Sequence, residues 1–397
     1  MRIAYLTAKD PMDRRSWSGT QYCMARALEK HCGEVFCVGP LPLLSVKMGK
    51  IASRALQLLG VSYLHTHTVS ISKKLGRMAE KKLAGQACDV IFAPAGSVML
   101  ANLRTPVPVV YLSDATTRLM VDYYAEFSSL SASKIRVADE MERLAIQRAS
   151  QQIYPSSWAA QSAIRDYGAD ASSVHVIPFG ANIDDWPPRD RAVRAPANDK
   201  CRLLFVGREW ERKGGAIAFE ALLELERLGI PAELTVIGCR PAGNLQHPGL
   251  RVIPFLNKNN PQERAELEEL YMNAHFFLLP TRAECFSIAL CEANAYGLPI
   301  VSTHTGGLPE LVREGVNGFL FPLEARGDQY AARIREIHGD PTRYQALRTS
   351  SRDQFEARLN WDAWGKRVND VLRAAIDGGK GMGHSEDFLV SATAKLG

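Results

Sequence analysis

Pro280-Thr281-Arg282-Ala283-Glu284-Cys285-Phe286-Ser287-Ile288-Ala289-Leu290-Cys291-Glu292-Ala293 follows directly on the apolar run Phe276–Leu279. A short apolar run, a proline, a polar loop and then a helical pattern is the strand–loop–helix of a parallel sheet. Glu284 falls in the loop, and Glu292 lies about two turns into a helix expected near 286–296. At 1.5 Å per residue the eight steps between them span roughly 12 Å, about the reach of a diphosphate linker. One carboxylate would bind a sugar hydroxyl and the other a ribose. The N–H groups of Phe286, Ser287 and Ile288 would point at phosphate between them. The same spacing fits a glutamate that complements the helix dipole and a second, solvated one. By spacing alone this plainer assignment is preferred.

Outward from that stretch, strands are expected at 203–206, 234–237, 252–253 and 300–302. Helices are expected near 215–228, 262–273 and 328–338, with a last one at about 361–376. Strand 203–206 runs into Gly207-Arg208-Glu209-Trp210-Glu211-Arg212-Lys213-Gly214-Gly215. Gly207 permits a tight turn at the carboxyl edge of the sheet. Arg208 and Lys213 put two cations beside a helix start, which is what a diphosphate requires. The alternative is a solvated charged turn in which Glu209 and Glu211 pair with these cations. The stretch is neither a Walker sequence nor the dinucleotide glycine fingerprint. After strand 300–302, Gly306 and Gly307 in Thr305-Gly306-Gly307-Leu308-Pro309-Glu310 again allow close backbone approach, a pattern common to many turns.

The first half shows the same alternation, with strands expected at 3–7, 35–38, 90–93, 107–112, 152–154 and 174–178. Helices are expected near 21–31, 45–59, 70–84, 134–149 and 157–167. The fold expected is therefore α/β, with two doubly wound parallel-sheet domains. The first covers 1–190, joined again by about 377–397. A linker at 191–200 follows Asp184-Asp185-Trp186-Pro187-Pro188, and the second domain covers 201–376. Gly378–Gly383 should be flexible. Two such domains in tandem suggest a ligand in a cleft facing the carboxyl ends of both sheets.

Composition agrees with this. The 397 residues are 46% hydrophobic and 23% charged, which excludes a disordered, collagen-like or coiled-coil chain. The eight cysteines form no Cys-x-x-Cys pair and read as buried thiols of a reducing compartment. No apolar run approaches the roughly 18–20 residues of a transmembrane helix, and no signal-peptide pattern opens the chain. A cytoplasmic location is expected. The net charge of +5 is uneven: residues 1–198 hold 24 Lys/Arg against 17 Asp/Glu. Much of the excess lies in 44–88, where Lys47, Lys50, Arg54, Lys73, Lys74, Arg77, Lys81 and Lys82 face only Glu80. Both basic stretches can be drawn as helices with an apolar stripe, a pattern that binds anionic surfaces. A peripheral contact with the inner face of a membrane is then expected. In the alternative, the stripes face the domain's own core. The segment has few aromatics to stack on bases, so no nucleic acid is expected. His65-Thr66-His67 reads as a surface loop, and no Asp-x-Asp occurs anywhere.

Taken together, these motifs resemble the retaining glycosyltransferases of family four, which have the GT-B fold. The resemblance rests on Gly207-Arg208, Lys213-Gly214, the Glu284-x7-Glu292 pair, Gly297-Leu298-Pro299-Ile300-Val301, Gly306-Gly307-Leu308-Pro309-Glu310 and Gly315-Val316-Asn317-Gly318-Phe319. In the first half, Ser18-Gly19-Thr20 looks like the family's first glycine loop, and Trp361–Val371 like its helix crossing back. The resemblance implies a nucleotide-sugar donor (UDP favoured, GDP second), no cofactor and no metal. Arg208 and Lys213 would hold the diphosphate, Glu292 the ribose and Glu284 the transferred sugar. Gly19, Gly207, Phe286, Ser287, Ile288, Gly306 and Gly307 would line the donor. The base would lie near 255–258, held mainly by backbone. The acceptor would be a sugar, a lipid-linked or a small molecule. Many family members carry a histidine where this chain has Ser113-Asp114-Ala115-Thr116. Asp114 would orient the acceptor hydroxyl or accept its proton, or else cap the helix that follows. Two other classes remain open: a GT-B phosphorylase or inverting transferase, and a non-catalytic two-lobed sugar- or nucleotide-binding protein.

Overall fold

The computed structural model describes residues 1–42, 66–128, 130–197, 199–243 and 245–381. They divide into two compact units. In the first, β1 (Arg2–Tyr5), β2 (Glu34–Cys37), β3 (Val90–Pro94), β4 (Val109–Leu112), β5 (Gln151–Tyr154) and β6 (Val174–Val176) form one parallel sheet, ordered β2-β1-β3-β4-β5-β6. Strands β3 and β4 are buried at every residue. Helices on both faces demand this, and it explains why the strands read as continuous apolar runs. The winding reverses between β1 and β3. Helix α1 (Thr20–His31) leaves β1 from Gly19, whose φ of 89° places it in the left-handed region open to glycine.

Helix α2 (Val69–Leu83) starts where the Thr68 hydroxyl accepts from the Ile71 amide at 3.3 Å. Ile71, Leu75 and Ala79 are buried, while Lys73, Lys74, Arg77, Lys81 and Lys82 are exposed. Its apolar stripe therefore faces the domain's own core and only its basic rim faces outward. The helix expected near 45–59 lies outside the described residues. Helices α3 (Ala132–Arg148) and α4 (Ser157–Tyr167) follow.

Glu142 of α3 is buried behind β4, where Tyr111 donates to its Oε1 at 2.8 Å and Thr117 to its Oε2 at 3.3 Å. Burial outweighs these donors and lifts its carboxyl from 4.5 to about 7. Below the unfolded value both states hold the proton and the contribution is fully present. As pH rises through 7 the folded state must ionise a buried group and that stability is lost. The difference amounts to up to about 3 kcal/mol. Glu142→Gln keeps the hydrogen-bonding shape without the proton. It is expected to flatten the fall in unfolding midpoint between pH 5 and 8, measured by thermal unfolding across that range. An unchanged slope in the variant would assign the fall to other groups.

The second unit holds β7 (Cys201–Val206), β8 (Ala232–Ile237), β9 (Leu250–Ile253), β10 (Phe276–Leu279), β11 (Ile300–Thr303) and β12 (Gly318–Phe321), all parallel in the order β12-β11-β10-β7-β8-β9. The chain builds outward from β7 to β9, then returns to β10 on the other side of β7 and builds to β12. The reversal falls between β7 and β10, where Phe276 pairs Leu203 and Phe277 pairs Leu204. In open parallel sheets of this kind ligands bind at the carboxyl ends of the strands flanking the reversal. Around the sheet stand α5 (Gly215–Arg227), α6 (Pro261–Asn273), α7 (Ile288–Ala295), α8 (Gly327–His338) and α9 (Pro341–Arg358).

Two boundaries differ from the sequence expectation. Residues 177–200 belong to the second unit, so 191–200 is not a free linker. Helix α9 holds them: Arg348 donates to the Ala192 carbonyl at 2.6 Å, and Gln345 to that of Val193 at 2.9 Å. Arg189 pairs with both Glu356 and Asp353. The last helix, α10 (Trp361–Gly381), changes unit at Gly365 rather than near 377. Trp361 donates to Asn182 in the second unit at 3.1 Å, whereas Arg367 donates to the Val176 carbonyl in the first at 2.7 Å. Residues 378–381 continue this helix, and 382–383 of the segment expected to be flexible lie outside the described residues.

Candidate functional site

Two loops at the reversal of the second sheet meet. The loop after β7 must turn sharply from strand to helix, and Gly214 at the N-cap of α5 makes this possible. Its φ is +74°, and a Cβ there would lie 1.9 Å from the Pro280 carbonyl oxygen. The loop after β10 is stitched to it. The Arg282 amide donates to the Arg212 carbonyl at 2.7 Å, the Thr281 hydroxyl donates to the same carbonyl at 3.1 Å, and Arg212 donates to the Ala283 carbonyl at 2.9 Å.

This stitching brings Lys213 onto Glu284. The ammonium donates directly to the carboxylate Oε2, and both side chains are about nine-tenths buried. The Arg212 guanidinium stands 3.8 Å from the same oxygen and is held by a two-pronged contact with Glu209 at 2.8 and 3.0 Å. Those Arg212 hydrogen bonds lower the Glu209 carboxyl below its ordinary value. Arg208 is exposed on the same loop and makes no ion pair among the described residues. Gly306 and Gly307 lie in the turn after β11. The Gly307 amide donates to the Glu284 carbonyl at 3.2 Å, and a Cβ on Gly307 would meet the Cys285 carbonyl oxygen at 2.0 Å. The glycine pair thus lets a third loop close against the segment that carries Glu284.

Helix α7 follows that segment, with Ser287 at its N-cap and Ile288 as its first residue. No side chain caps it, so its leading N–H groups retain their capacity for an acceptor. Phe286 is buried edge-on against Phe179, with ring centroids 5.0 Å apart. One turn further in, Glu292 is 2% exposed. Lys258, in the loop after β9, donates to its Oε1, and Tyr271 of α6 donates to its Oε2 at 3.2 Å. Tyr271 is stacked on Tyr296 at 4.9 Å. Burial first, and then the nearby Glu292 charge, raise its phenol well above the ordinary value, so it stays a donor.

The second sheet therefore assembles Gly207, Lys213, Glu284, Phe286, Ser287, Ile288, Glu292, Gly306 and Gly307 along the loops of β7, β10 and β11. Gly19 and Asp114 lie in the first unit, Asp114 just past the carboxyl end of β4 and Gly19 at the N-cap of α1, at the end of the connection that follows β1. Thr116, not Asp114, is the N-cap residue of the short helix Thr117–Met120. Three contacts were not foreseen. Arg212 stood in the quoted loop as one cation among several. The sequence puts the backbone of Lys258 beside the base, yet its side chain reaches Glu292. Tyr271 gave no signal, because a tyrosine in an amphipathic helix reads as core.

Residues 200–340 match the family model described as "Glycosyl transferases group 1". A D-inositol 3-phosphate glycosyltransferase of Catenulispora acidiphila is 32% identical over 269 residues, 63% of each chain. That of Streptomyces bingchenggensis is 29% identical over 55% of this chain and 51% of its own. The match thus spans between about half and two-thirds of these relatives' length. Two solved structures share the fold: sucrose-phosphate synthase of Thermosynechococcus elongatus, TM-score 0.66, 16% identical over 95% of this chain and all of its own, and Anabaena HepE in complex with UDP, TM-score 0.63, 18% identical over 94% of this chain and all of its own. The fold is GT-B, and residues 200–340 within the second unit are similar to the glycosyl transferases of group 1.

Proposed function

We propose that the protein transfers a hexose or related sugar from a nucleoside-diphosphate sugar, UDP-linked in the first instance, to an acceptor hydroxyl, with retention of anomeric configuration. The observation that carries this is the pairing of Lys213 with Glu284 at the β7/β10 reversal, directly before the uncapped start of α7. Expelling a nucleoside diphosphate from an anomeric carbon builds negative charge on the leaving group. Lys213, Arg208 and the N–H groups of Ser287 and Ile288 are the groups that stabilise it. Glu284 accepts from the sugar's hydroxyls once Lys213 turns to phosphate. Glu292 accepts from the ribose, and Phe255, 62% exposed just beyond β9, offers a face to the base. The departing phosphate helps deprotonate the acceptor on the same face, with Asp114 orienting that hydroxyl.

The names of the relatives favour a phosphorylated polyol as acceptor, and the exposed cations of α2 suit an anionic one. A lipid-linked acceptor would add peripheral membrane contact through 44–88. A panel of UDP- and GDP-sugars, scored by release of the diphosphate with and without inositol phosphate, tests the transfer. Absence of turnover with every donor, by protein that those donors protect against unfolding, would leave a binding protein instead. Co-sedimentation with anionic and neutral vesicles over a salt series tests the membrane contact. No binding to anionic vesicles at low salt would leave a soluble acceptor.

A further inference from the structure

We infer that Lys258 and Tyr271 are positioning residues that shape the Glu292 carboxylate into an acceptor for the two adjacent hydroxyls of a ribose, and so set the protein's preference for ribo- over 2′-deoxyribonucleotides. This deepens the donor assignment above and rests on it. Glu292 is almost wholly buried, and a buried carboxylate needs both a counter-charge and donors for its lone pairs. Lys258 supplies the charge at Oε1 and Tyr271 a neutral donor at Oε2. A carboxylate has about four lone-pair directions. With one on each oxygen taken, one on each remains. Two acceptors separated by the width of a carboxylate match a vicinal diol, which donates one proton to each.

The two supports differ in freedom. Tyr271 is 1% exposed, bonded to Glu292 and stacked between Tyr296 and Phe277, at 4.9 and 6.1 Å, so it fixes the plane of the carboxylate rigidly. The Lys258 side chain is 40% exposed and comes from the loop between β9 and α6. That loop is anchored just before it, where the Asn257 amide donates to Glu263 at 2.6 Å. Lys258 therefore adjusts to the incoming nucleotide without leaving Glu292 uncompensated. Neither residue needs to touch the nucleotide for this role, so their effect should depend on the 2′-hydroxyl.

The test is calorimetric binding of UDP and 2′-deoxy-UDP, with GDP and 2′-deoxy-GDP run in parallel, to the wild type, Lys258→Met, Tyr271→Phe, Glu292→Gln and Lys258→Met/Glu292→Gln. Folding of each is checked by its unfolding midpoint. The wild type is expected to prefer the ribonucleotide by at least about tenfold. Lys258→Met should lose most of that preference by weakening the ribonucleotide alone. Lys258→Arg should restore it, and the double variant should bind no more weakly than Glu292→Gln. Equal weakening of both nucleotides by Lys258→Met would overturn the inference and make Lys258 a direct contact of base or phosphate. A preference unchanged in Glu292→Gln would remove the ribose assignment itself, and binding of no nucleotide by the wild type would remove the donor assignment. In either case the inference falls with its premise.

Discussion

Lys213→Met is expected to lower turnover by about 10²–10³-fold, the usual cost of removing one preorganised charge-assisted contact to a developing anion. Arg208→Ala should act in the same direction. The structure adds a second consequence for Lys213. Its loss takes the ammonium away from the buried Glu284 carboxylate, which keeps the Arg212 guanidinium at 3.8 Å. Breaking a buried pair costs about 3–5 kcal/mol when one partner remains charged, and Arg212 offsets part of this. Lys213→Met should therefore lose stability as well as activity. Lys213→Met/Glu284→Gln should regain most of the stability and none of the activity. Denaturant unfolding and initial rates on the same preparations separate the two effects. Near-normal rates in folded Lys213→Met would remove the diphosphate role.

Glu292→Gln is expected to weaken nucleotide binding by about 10–100-fold, the cost of replacing charged by neutral hydrogen bonds at a buried site. Glu284→Gln should instead act on turnover and on which sugar is accepted, since its carboxylate stands on the other side of the α7 start. Affinity for the free diphosphate nucleotide and for the intact donor, measured side by side, distinguishes them. Glu292→Gln should weaken both equally, whereas Glu284→Gln should weaken only the donor. An unchanged affinity of Glu292→Gln for UDP would show that the ribose lies elsewhere.

Most strands and helices were legible because parallel strands buried on both faces are apolar throughout, as in Phe276–Leu279, and because amphipathic helices such as Gly215–Arg227 show their period. Helix α9 was not anticipated, although Asp340 and Pro341 signal its start and the Asp340 carboxylate accepts from the Arg343 amide at 3.0 Å. Its inward face carries Arg348 and Arg352, both nearly fully buried, next to Tyr344, Leu347 and Phe355. An arginine whose guanidinium serves backbone carbonyls is interior, but a hydrophobicity pattern counts it as surface. Strand β12 was missed for the opposite reason. It is short and begins with Gly318, where a Cβ would meet the Ile300 carbonyl oxygen at 2.1 Å. Of the candidate site, motif spacing showed which residues share a sheet edge. It could not show that Lys213 bonds Glu284, or that Lys258 bonds Glu292, because those contacts join residues 71 and 34 positions apart.

Both of those contacts are cation–carboxylate pairs closed within the protein before any ligand arrives. A charged donor entering such a site does not fall into a bare positive basin. Under the proposed donor assignment it would exchange partners: phosphate would take the ammonium of Lys213, and hydroxyls the carboxylates released or shared. A fully deprotonated inorganic anion such as sulfate can offer only half of that exchange, because it has no proton to give Glu284 or Glu292. Under the proposed donor assignment the site would therefore discriminate against sulfate by leaving it a stranded carboxylate to overcome, and a molecule that carries diphosphate and diol together would complete the trade on both sides.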